Sequence, residues 1–431
     1  MDPAPASNDA RELEPSSLAR RYTGVRAATE ALCAPLSAED AALQSMPDAS
    51  PAKWHLGHTS WFFETFVLRP GVAGYAAFDP RYEMIFNSYY RSIGEPYPRA
   101  RRGLLSRPSL EEVLRYRRQV DTAMGELLAT PRAAARDELL SVVELGLQHE
   151  QQHQELLLTD VKHLLYQSPL RPAYRASGGS QCPGAAPTPL DFVAWPGGFA
   201  AIGHAGAGFA FDNEGPRHRR WLEPFALATR LVTNGEWIDF MEDRGYERPE
   251  LWLSDGFDAL AASGWQAPLY WERDGRGFAH FTLDGMQPVR PEEPVCHVSA
   301  YEADAYARWA GARLPGEDEW EVCAAERPVE GNFVESGRLR PVAAPDATGA
   351  PAQLFGDVWE WTRSAYAAYP GYAPPPGALG EYNGKFMCNQ LVLRGGSCAT
   401  PQSHARATYR NFFPPGARWQ FSGVRLARET R

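Results

Sequence analysis

The sequence lacks any apolar run long enough for a membrane helix, since none approaches the roughly 18 residues of a bilayer span. It also lacks a basic excess: 43 Lys+Arg against 53 Asp+Glu leave a net charge of −10. A chain of this charge is not expected to bind nucleic acid or an anionic membrane surface. The opening Met1-Asp2-Pro3-Ala4-Pro5 has neither a basic nor an apolar segment, so no signal peptide is expected.

Cysteine is also scarce, with six residues and no Cys-x-x-Cys spacing. This argues against a zinc ribbon or a disulfide framework and predicts a protein of the reducing cytoplasm. Apolar residues make up 44% of the chain and charged residues 22%, which is a globular composition. A length of 431 residues predicts two or three domains.

The two halves of the chain differ in pattern. Apolar residues at three- and four-residue steps predict helices over four segments, which suggests a four-helix bundle over 15–166 after a disordered lead-in over 1–14. The four segments are 15–33, 52–68, 109–130 and 134–165. The loop 69–107 is long for a bundle, and such loops are usually functional. A proline-rich linker, 167–190, precedes a mixed, loop-rich second half, 191–431.

Two histidines are the sharpest local feature. His149 and His153 are four residues apart on the apolar stripe of a predicted helix, so both imidazoles can reach one ion. Buried imidazoles need partners, which are either a metal ion or polar groups of the core. A third ligand could come from His55 or His58, and the pattern alone leaves this choice open. Three imidazoles without a carboxylate leave open coordination positions, which suits Fe(II) or catalytic zinc.

The same segment also matches the zinc hydrolase motif H-E-x-x-H, with Glu150 as the general base. This motif requires a third ligand downstream, and Leu156-Leu157-Leu158 follows instead of a histidine pattern. A zinc hydrolase or a DinB-type thiol transferase is therefore the alternative enzyme class. A lectin-like binding module with a purely structural bundle is the alternative outside enzymes.

Four motifs of the second half carry a resemblance to a known family. They are Arg313-Leu314-Pro315-Gly316-Glu317-Asp318-Glu319-Trp320-Glu321, Gly356-Asp357-Val358-Trp359-Glu360-Trp361-Thr362, Leu393-Arg394-Gly395-Gly396-Ser397 and Phe421-Ser422-Gly423-Val424-Arg425-Leu426. With the helical first half, they resemble the ergothioneine-pathway sulfoxide synthases, including the closely related selenoneine synthases. The resemblance implies an α plus mixed α/β protein. A DinB-like four-helix bundle is followed by a formylglycine-generating-enzyme-type domain, which has a C-type-lectin-like fold.

The resemblance also implies an activity. A nonheme Fe(II) enzyme of this family uses O2 to join a sulfur or selenium donor to C2 of the imidazole of hercynine, Nα-trimethylhistidine. The family pattern assigns the iron to His58, His149 and His153. Gln152 and Asn411 match positions that contact the substrate. We expect the site at the domain interface, where binding pockets are common.

Aromatic residues are expected to hold the substrate cation. A trimethylammonium group cannot donate hydrogen bonds, so aromatic faces hold it. Phe412, Phe413 and Trp419 lie together in the sequence and are our candidates for this cage. Tyr89 and Tyr90, in the long loop, are candidates for proton or hydrogen-atom transfer.

The sulfur or selenium donor is expected to meet basic residues. Arg99 and Arg102 could bind its carboxylate through paired hydrogen bonds, and Arg418 is a further expected substrate contact. Family members that use γ-glutamylcysteine carry an aspartate shortly after the asparagine of the Arg-Asn motif. This chain continues with Phe412-Phe413-Pro414-Pro415-Gly416-Ala417-Arg418 instead. Cysteine, γ-glutamylcysteine and a selenosugar all stay open as donors.

Overall fold

The structure, a computed structural model, describes residues 15–129, 137–175, 189–345 and 349–430. These residues form two compact units. The first contains the chain up to Gln167 with Ala205–Phe211 and Pro374–Tyr382, and the second contains Ser168–His204, Asp212–Ala373 and the chain from Asn383. The expected lead-in 1–14 lies outside the described residues, as does most of the expected linker 167–190.

Four long helices build the first unit, which confirms the predicted bundle. They are α1 Pro15–Cys33, α2 Ala52–Phe63, α3 Leu110–Ala129 and α4 Asp137–Gln167. Both α1 and α2 pack against α3 and α4. Every residue of α2 is buried, so this helix occupies the centre of the unit.

The helix predicted over 52–68 changes its geometry at Phe63. A π-helix, Glu64–Leu68, and a last turn, Arg69–Gly71, continue it. The carboxylate of Glu64 is fully buried and accepts hydrogen bonds from the hydroxyls of Tyr75 and Tyr116. Periodicity alone did not predict this change, because the hydroxyls that bond Glu64 come from residues outside the helix.

The second unit contains short strands and short helices, in agreement with the mixed class predicted for it. The strands are β1 Phe192–Trp195, β2 Gly198–Ile202, β3 His218–Leu222, β4 Phe225–Ala228, β5 Trp271–Asp274, β6 Gly277–Thr282, β7 Gly285–Pro288, β8 Trp359–Ala365, β9 Leu391–Arg394, β10 Asn411–Phe413, β11 Ser422–Gly423 and β12 Ala427–Glu429. The helices are α5 Asn234–Glu242, α6 Ser254–Ser263, α7 Ala300–Trp309 and α8 Glu317–Ala324. Helices α5 and α7 begin with capping boxes, in which a Thr or Ser side chain and a Glu three residues later bond each other's backbone amides.

Four sheets organise these strands, in the orders β1-β4-β12, β10-β9-β8-β11, β2-β3 and β5-β6-β7. The pair β8–β11 is parallel, and the other named pairs are antiparallel. Within the described ranges no helix is long and apolar enough to cross a membrane, consistent with the sequence.

The family motifs of the second half form buried ion pairs. Glu360 of β8 bonds the guanidinium of Arg425 at 2.7 Å and accepts a hydrogen bond from the indole of Trp320. Glu317 of α8 bonds Arg394 of β9 at 2.9 Å. Because a buried charge without a partner is costly, these motif residues are tied to one another. In the second unit, these motif residues therefore support the fold.

Candidate metal centre

Helices α2 and α4 bring three histidines together. His58 lies on α2, and His149 and His153 lie one turn apart on α4. All three are buried, and one nitrogen of each lies within 4.8 Å of the corresponding nitrogens of the other two. Their rings are steeply inclined to one another, at 63° to 85°. These are the three residues that the family pattern selects.

His58 is held from both faces and through one nitrogen. Its ring stacks between the indoles of Trp54 and Trp61, with ring centroids 4.6 Å and 5.6 Å away. Its Nδ1 lies 2.6 Å from the carbonyl oxygen of Phe86, so this nitrogen carries the hydrogen and donates it. The Nε2 lone pair is left free of a proton, 3.2 Å from Nε2 of His149.

A glycine allows this arrangement. The aromatic ring of Phe86 packs directly on the backbone of α2 at Gly57. A Cβ at that position would come within 2.2 Å of the ring. Gly57 therefore lets the segment that carries the Phe86 carbonyl approach the helix that carries His58.

His153 is held by a chain of two further side chains. Its Nδ1 lies 2.8 Å from Nδ1 of His55, and Nε2 of His55 lies 3.0 Å from Oδ2 of Asp160. The same Asp160 oxygen accepts the backbone N–H of Ser50 at 2.8 Å. His55, the other candidate from the sequence, therefore lies beside the cluster and contacts it through His153. Sequence reasoning did not anticipate this role.

The donor set fits a nitrogen-ligated metal ion. Burial lowers the pKa of His149 to about 3. Burial and the neighbouring histidines lower the pKa values of His58 and His153 as well, so all three imidazoles are neutral. Two imidazoles on one ion, with bonds of about 2.0–2.1 Å, place their nitrogens about 2.8–3.4 Å apart in octahedral or tetrahedral geometry. The 3.2 Å between His58 and His149 lies in this range.

Glu150 faces away from the cluster. On a helix it lies about 100° from its neighbour His149, and its carboxylate bonds the guanidinium groups of Arg117 at 2.6 Å and Arg26 at 3.0 Å. Burial alone would raise the pKa of Glu150, but Arg117 and Arg26 lower it to about 2. The hydrolase interpretation needs Glu150 as a base at the metal, and this geometry does not support it.

Gln152 meets a tyrosine that sequence reasoning missed. The hydroxyl of Tyr382 donates a hydrogen bond to Oε1 of Gln152. The ring of Tyr382 lies 5.6 Å from the ring of His149 and stacks on Phe211. Tyr382 and Phe211 belong to the two short segments, Pro374–Tyr382 and Ala205–Phe211, that the structure assigns to the first unit. In the sequence, the surroundings of Tyr382 are simply a loop rich in Tyr, Pro and Gly.

The two predicted tyrosines, Tyr89 and Tyr90, are connected to the histidines through other aromatic rings. Tyr90 is fully buried and stacks on Tyr89, with ring centroids 4.6 Å apart. Burial and the phenols of Tyr89 and Tyr382 raise the pKa of Tyr90, so its hydroxyl stays protonated. Tyr90 also contacts Trp61, and Tyr89 lies 6.5 Å from Tyr382. Of these tyrosines, Tyr382 has the ring contact with His149.

The two predicted arginines of the loop have different environments. Arg99 is exposed and donates to the carbonyl of Asp48. Arg102 is buried, and its guanidinium lies 3.3 Å from the ring centre of Trp54, the residue that stacks on His58. Its Nε has no hydrogen-bond partner among the described residues. A buried cation with an unpaired donor is suited to a carboxylate ligand, and carboxylate binding by either arginine stays a prediction.

Asn411, Phe412 and Phe413 form β10 of the second unit, an edge strand paired with β9. Phe412 stacks on Tyr366 at 4.0 Å, whereas Phe413 contacts Trp419 at 6.3 Å. Successive residues of a strand face opposite sides, so the two phenyl rings join different aromatic groups. The structure brings Phe413 and Trp419 together, and their role in a cage, like that of Phe412, stays a prediction.

Arg418 has partners within the second unit. It forms an ion pair of 2.7 Å with Glu302, and its guanidinium lies 4.4 Å from the ring centre of Trp265. Its Nε, like that of Arg102, has no hydrogen-bond partner among the described residues. Substrate contacts of Arg418 and Asn411 stay predictions.

The fold and the histidine cluster define a class of protein: a DinB-type bundle with a candidate metal centre, joined to a sulfatase-modifying-factor-type domain. Family models match both parts. The DinB superfamily model matches residues 21–157, and the model for the sulfatase-modifying factor enzyme 1-like domain matches residues 181–350 and 340–430.

Curated relatives extend this match over nearly the whole chain. Hercynine oxygenase of Mycobacterium tuberculosis is 33% identical over 451 aligned positions, which cover 96% of this chain and 99% of that protein. Hercynine oxygenase of Mycolicibacterium thermoresistibile is 32% identical and covers 90% of each chain. Ergothioneine biosynthesis protein 1 of Schizosaccharomyces pombe is 26% identical over 51% of this chain and 28% of its own. The chain belongs to the hercynine oxygenase family of ergothioneine metabolism.

Proposed function

We propose that this protein is a nonheme Fe(II) enzyme that uses O2 to form a carbon–sulfur or carbon–selenium bond at C2 of the hercynine imidazole. The carrying observation is the set of three buried, neutral imidazoles of His58, His149 and His153 with converging nitrogens. Such a set supplies no anionic ligand and leaves coordination positions for substrates. When bound there, Fe(II) would supply the redox chemistry that couples O2 reduction to bond formation. Family membership supports hercynine as the substrate.

Gln152 is our candidate for the residue that orients the substrate imidazole, and Tyr382 is its support. Gln152 lies on α4 between the two histidines of that helix, and its side-chain amide offers both a donor and an acceptor. Its Oε1 already accepts the hydroxyl hydrogen of Tyr382. With its Oε1 held by Tyr382, Gln152 would donate from its amide nitrogen to a nitrogen of the substrate imidazole.

Tyr382 is our first candidate for the proton donor. Its hydroxyl is anchored on Gln152, and its ring lies against His149. A phenol in this position can deliver its proton to a reacting atom. Tyr89 adjoins Tyr382 and is the second candidate, and Tyr90 lies behind Tyr89. The sequence favours Tyr90 as the proton donor, whereas these contacts favour Tyr382.

The test is reconstitution with defined components. The protein is loaded with Fe(II) without oxygen and then exposed to O2 with hercynine and, in turn, cysteine, γ-glutamylcysteine or a selenosugar. Mass spectrometry reads the product and its oxidation state, and an oxygen electrode reads the coupling. Histidine replaces hercynine as the matched control, and Zn(II)-loaded protein controls for chemistry that does not involve O2.

The expected result is a hercynine-derived product with a new carbon–sulfur or carbon–selenium bond, formed by the Fe(II) protein and not by the Zn(II) protein. Equal turnover of the Zn(II) protein without O2 would support the alternative hydrolase or thiol transferase. Metal-free protein that binds its ligand with unchanged affinity and shows no turnover would support a binding module instead.

A further inference from the structure

We propose that His55 and Asp160 are positioning residues that set the protonation pattern and orientation of His153 as a metal ligand. The proposal rests on the metal centre described above. Both residues are buried, and they contact His153 in series: Asp160 bonds His55, and His55 bonds His153. Neither residue belongs to the three-histidine cluster itself.

The direction of each hydrogen bond in this series follows from Asp160, the residue at its outer end. The carboxylate of Asp160 can only accept, so Nε2 of His55, 3.0 Å away, carries a hydrogen and donates it. With that hydrogen on Nε2, Nδ1 of His55 is the ring nitrogen left to accept. Its partner at 2.8 Å, Nδ1 of His153, must therefore be the donor. This places the hydrogen of His153 on Nδ1 and leaves the Nε2 lone pair for the ion.

The carboxylate is itself held in place. The backbone N–H of Ser50 donates to the same Oδ2 atom of Asp160 that His55 contacts. Asp160 lies seven residues after His153 on α4, so both side chains leave the helix within about 20° of each other. His55 from α2 fits between them. The chain of contacts therefore joins the two helices that carry the ligands.

The hydrogen bonds from Asp160 through His55 to His153 connect a negative charge to an otherwise neutral set of ligands. The three imidazoles supply no charge, and the carboxylate of Glu150 is already paired with Arg26 and Arg117. Asp160 is connected to a ligand by hydrogen bonds. A ligand imidazole whose other N–H is bonded toward a carboxylate is a stronger donor to its metal and is fixed in orientation.

The three histidines thus differ in the hydrogen-bond partner of the ring nitrogen that faces away from the ion. A backbone carbonyl fixes His58, the His55–Asp160 pair fixes His153, and Nδ1 of His149 has no partner among the described residues. Loss of the His55 acceptor should therefore affect the metal through His153 while the other two ligands keep their surroundings. Loss of one such outer partner typically lowers metal affinity about 10–100-fold.

The experiment compares two substitutions of His55 in the full chain. His55→Phe keeps a ring beside Trp54 but removes the acceptor. His55→Asn keeps an acceptor, because the amide oxygen occupies nearly the position of Nδ1. Dissociation constants for Zn(II) and Co(II) are measured against a competing chelator, and Co(II) absorption reports the geometry of the centre. His163→Phe, a histidine of α4 outside the cluster, is the matched control.

We expect His55→Phe to weaken Zn(II) and Co(II) binding about 10–100-fold and to change the Co(II) spectrum. His55→Asn should recover most of the affinity, and His163→Phe should match the wild type. In the Zn(II)-loaded wild type, nitrogen NMR should show hydrogens on Nδ1 of His153 and Nε2 of His55. Circular dichroism confirms that each variant is folded.

Equal metal affinities of the wild type, His55→Phe and His55→Asn would overturn the proposal, as would NMR that places the hydrogen of His55 on Nδ1. Equal losses in both His55 variants would show a general packing role and would also overturn it. A wild type that binds no metal at this cluster would instead refute the proposed function, so the two failures are distinguishable.

Discussion

Replacement of Glu150 by Gln separates the proposed iron enzyme from the hydrolase alternative. Glu150 is fully buried, and its two oxygens accept from Arg117 at 2.6 Å, Arg26 at 3.0 Å and the Thr29 hydroxyl at 2.7 Å. An amide cannot neutralise the two buried guanidinium groups. We therefore expect Glu150→Gln to destabilise the bundle strongly while the metal centre stays intact in the folded protein.

Two estimates give the loss of folding free energy expected for Glu150→Gln. A folded-state pKa of about 2 against an ordinary value of about 4.3 corresponds to about 3 kcal/mol of stabilisation, at about 1.36 kcal/mol per pKa unit. Removal of one partner from a buried ion pair typically costs about 3–5 kcal/mol. Because the pKa is lowered on folding, this contribution is present above about pH 4.3 and is lost as pH falls toward 2.

The assay is thermal unfolding followed by far-UV circular dichroism, with metal content measured below the transition. For a unit of the size of the bundle, a loss of about 3 kcal/mol lowers the melting temperature by about 6–12 °C. Glu138→Gln, an exposed position on the same helix, is the control and should change stability by less than about 0.5 kcal/mol.

The refuting result is specific. If Glu150→Gln melts like the wild type and abolishes turnover, Glu150 is a general base at the metal and the assignment of its partners is wrong. If it melts at the lower temperature and keeps metal and turnover below that temperature, the carboxylate is structural. The stabilities of the two proteins should also become equal as pH falls toward 2, because the wild type then loses the charge that the variant lacks.

Three further outcomes are expected. His149→Ala should lose stoichiometric metal and turnover with the bundle still folded, as read by metal analysis and circular dichroism. Tyr382→Phe should bind both substrates nearly normally but lower product formation about 10²–10⁴-fold, whereas Tyr90→Phe should have a smaller effect; single-turnover rates and oxygen consumption check both. Phe413→Ala and Trp419→Ala should each weaken binding of hercynine by about 0.5–2 kcal/mol and leave weak histidine binding unchanged, as measured by calorimetry.

Residues on regular helices were predictable from the sequence because helical spacing determines which of them share a face. His149 and His153 differ by about 40° around α4, so their convergence follows from local geometry alone. The helical boundaries Pro15–Cys33 and Leu110–Ala129 match the periodicity to within one residue. The change to a π-helix after Phe63 was not predictable from periodicity, because the buried hydrogen bonds of Glu64 that accompany it come from tyrosines outside the helix.

Contacts between distant segments were not predictable in this way. Tyr382 lies 230 residues from Gln152 along the chain, in a loop whose composition indicates only turns. Nothing in its neighbourhood specifies that the segment Pro374–Tyr382 joins the first unit. The adjacent Tyr89 and Tyr90 are candidates because they lie in a long loop of the bundle, but local sequence cannot rank them against a tyrosine from another segment.

The choice between His55 and His58 shows where sequence spacing stops being informative. The two residues are three apart on α2 and leave the helix only about 60° from each other, so either could face α4. The surrounding segments decide: the Phe86 carbonyl takes Nδ1 of His58 and directs Nε2 toward His149. Asp160 instead takes Nε2 of His55, which turns the opposite nitrogen toward His153. A histidine becomes a candidate ligand or its support according to which of its two nitrogens a neighbour has already engaged.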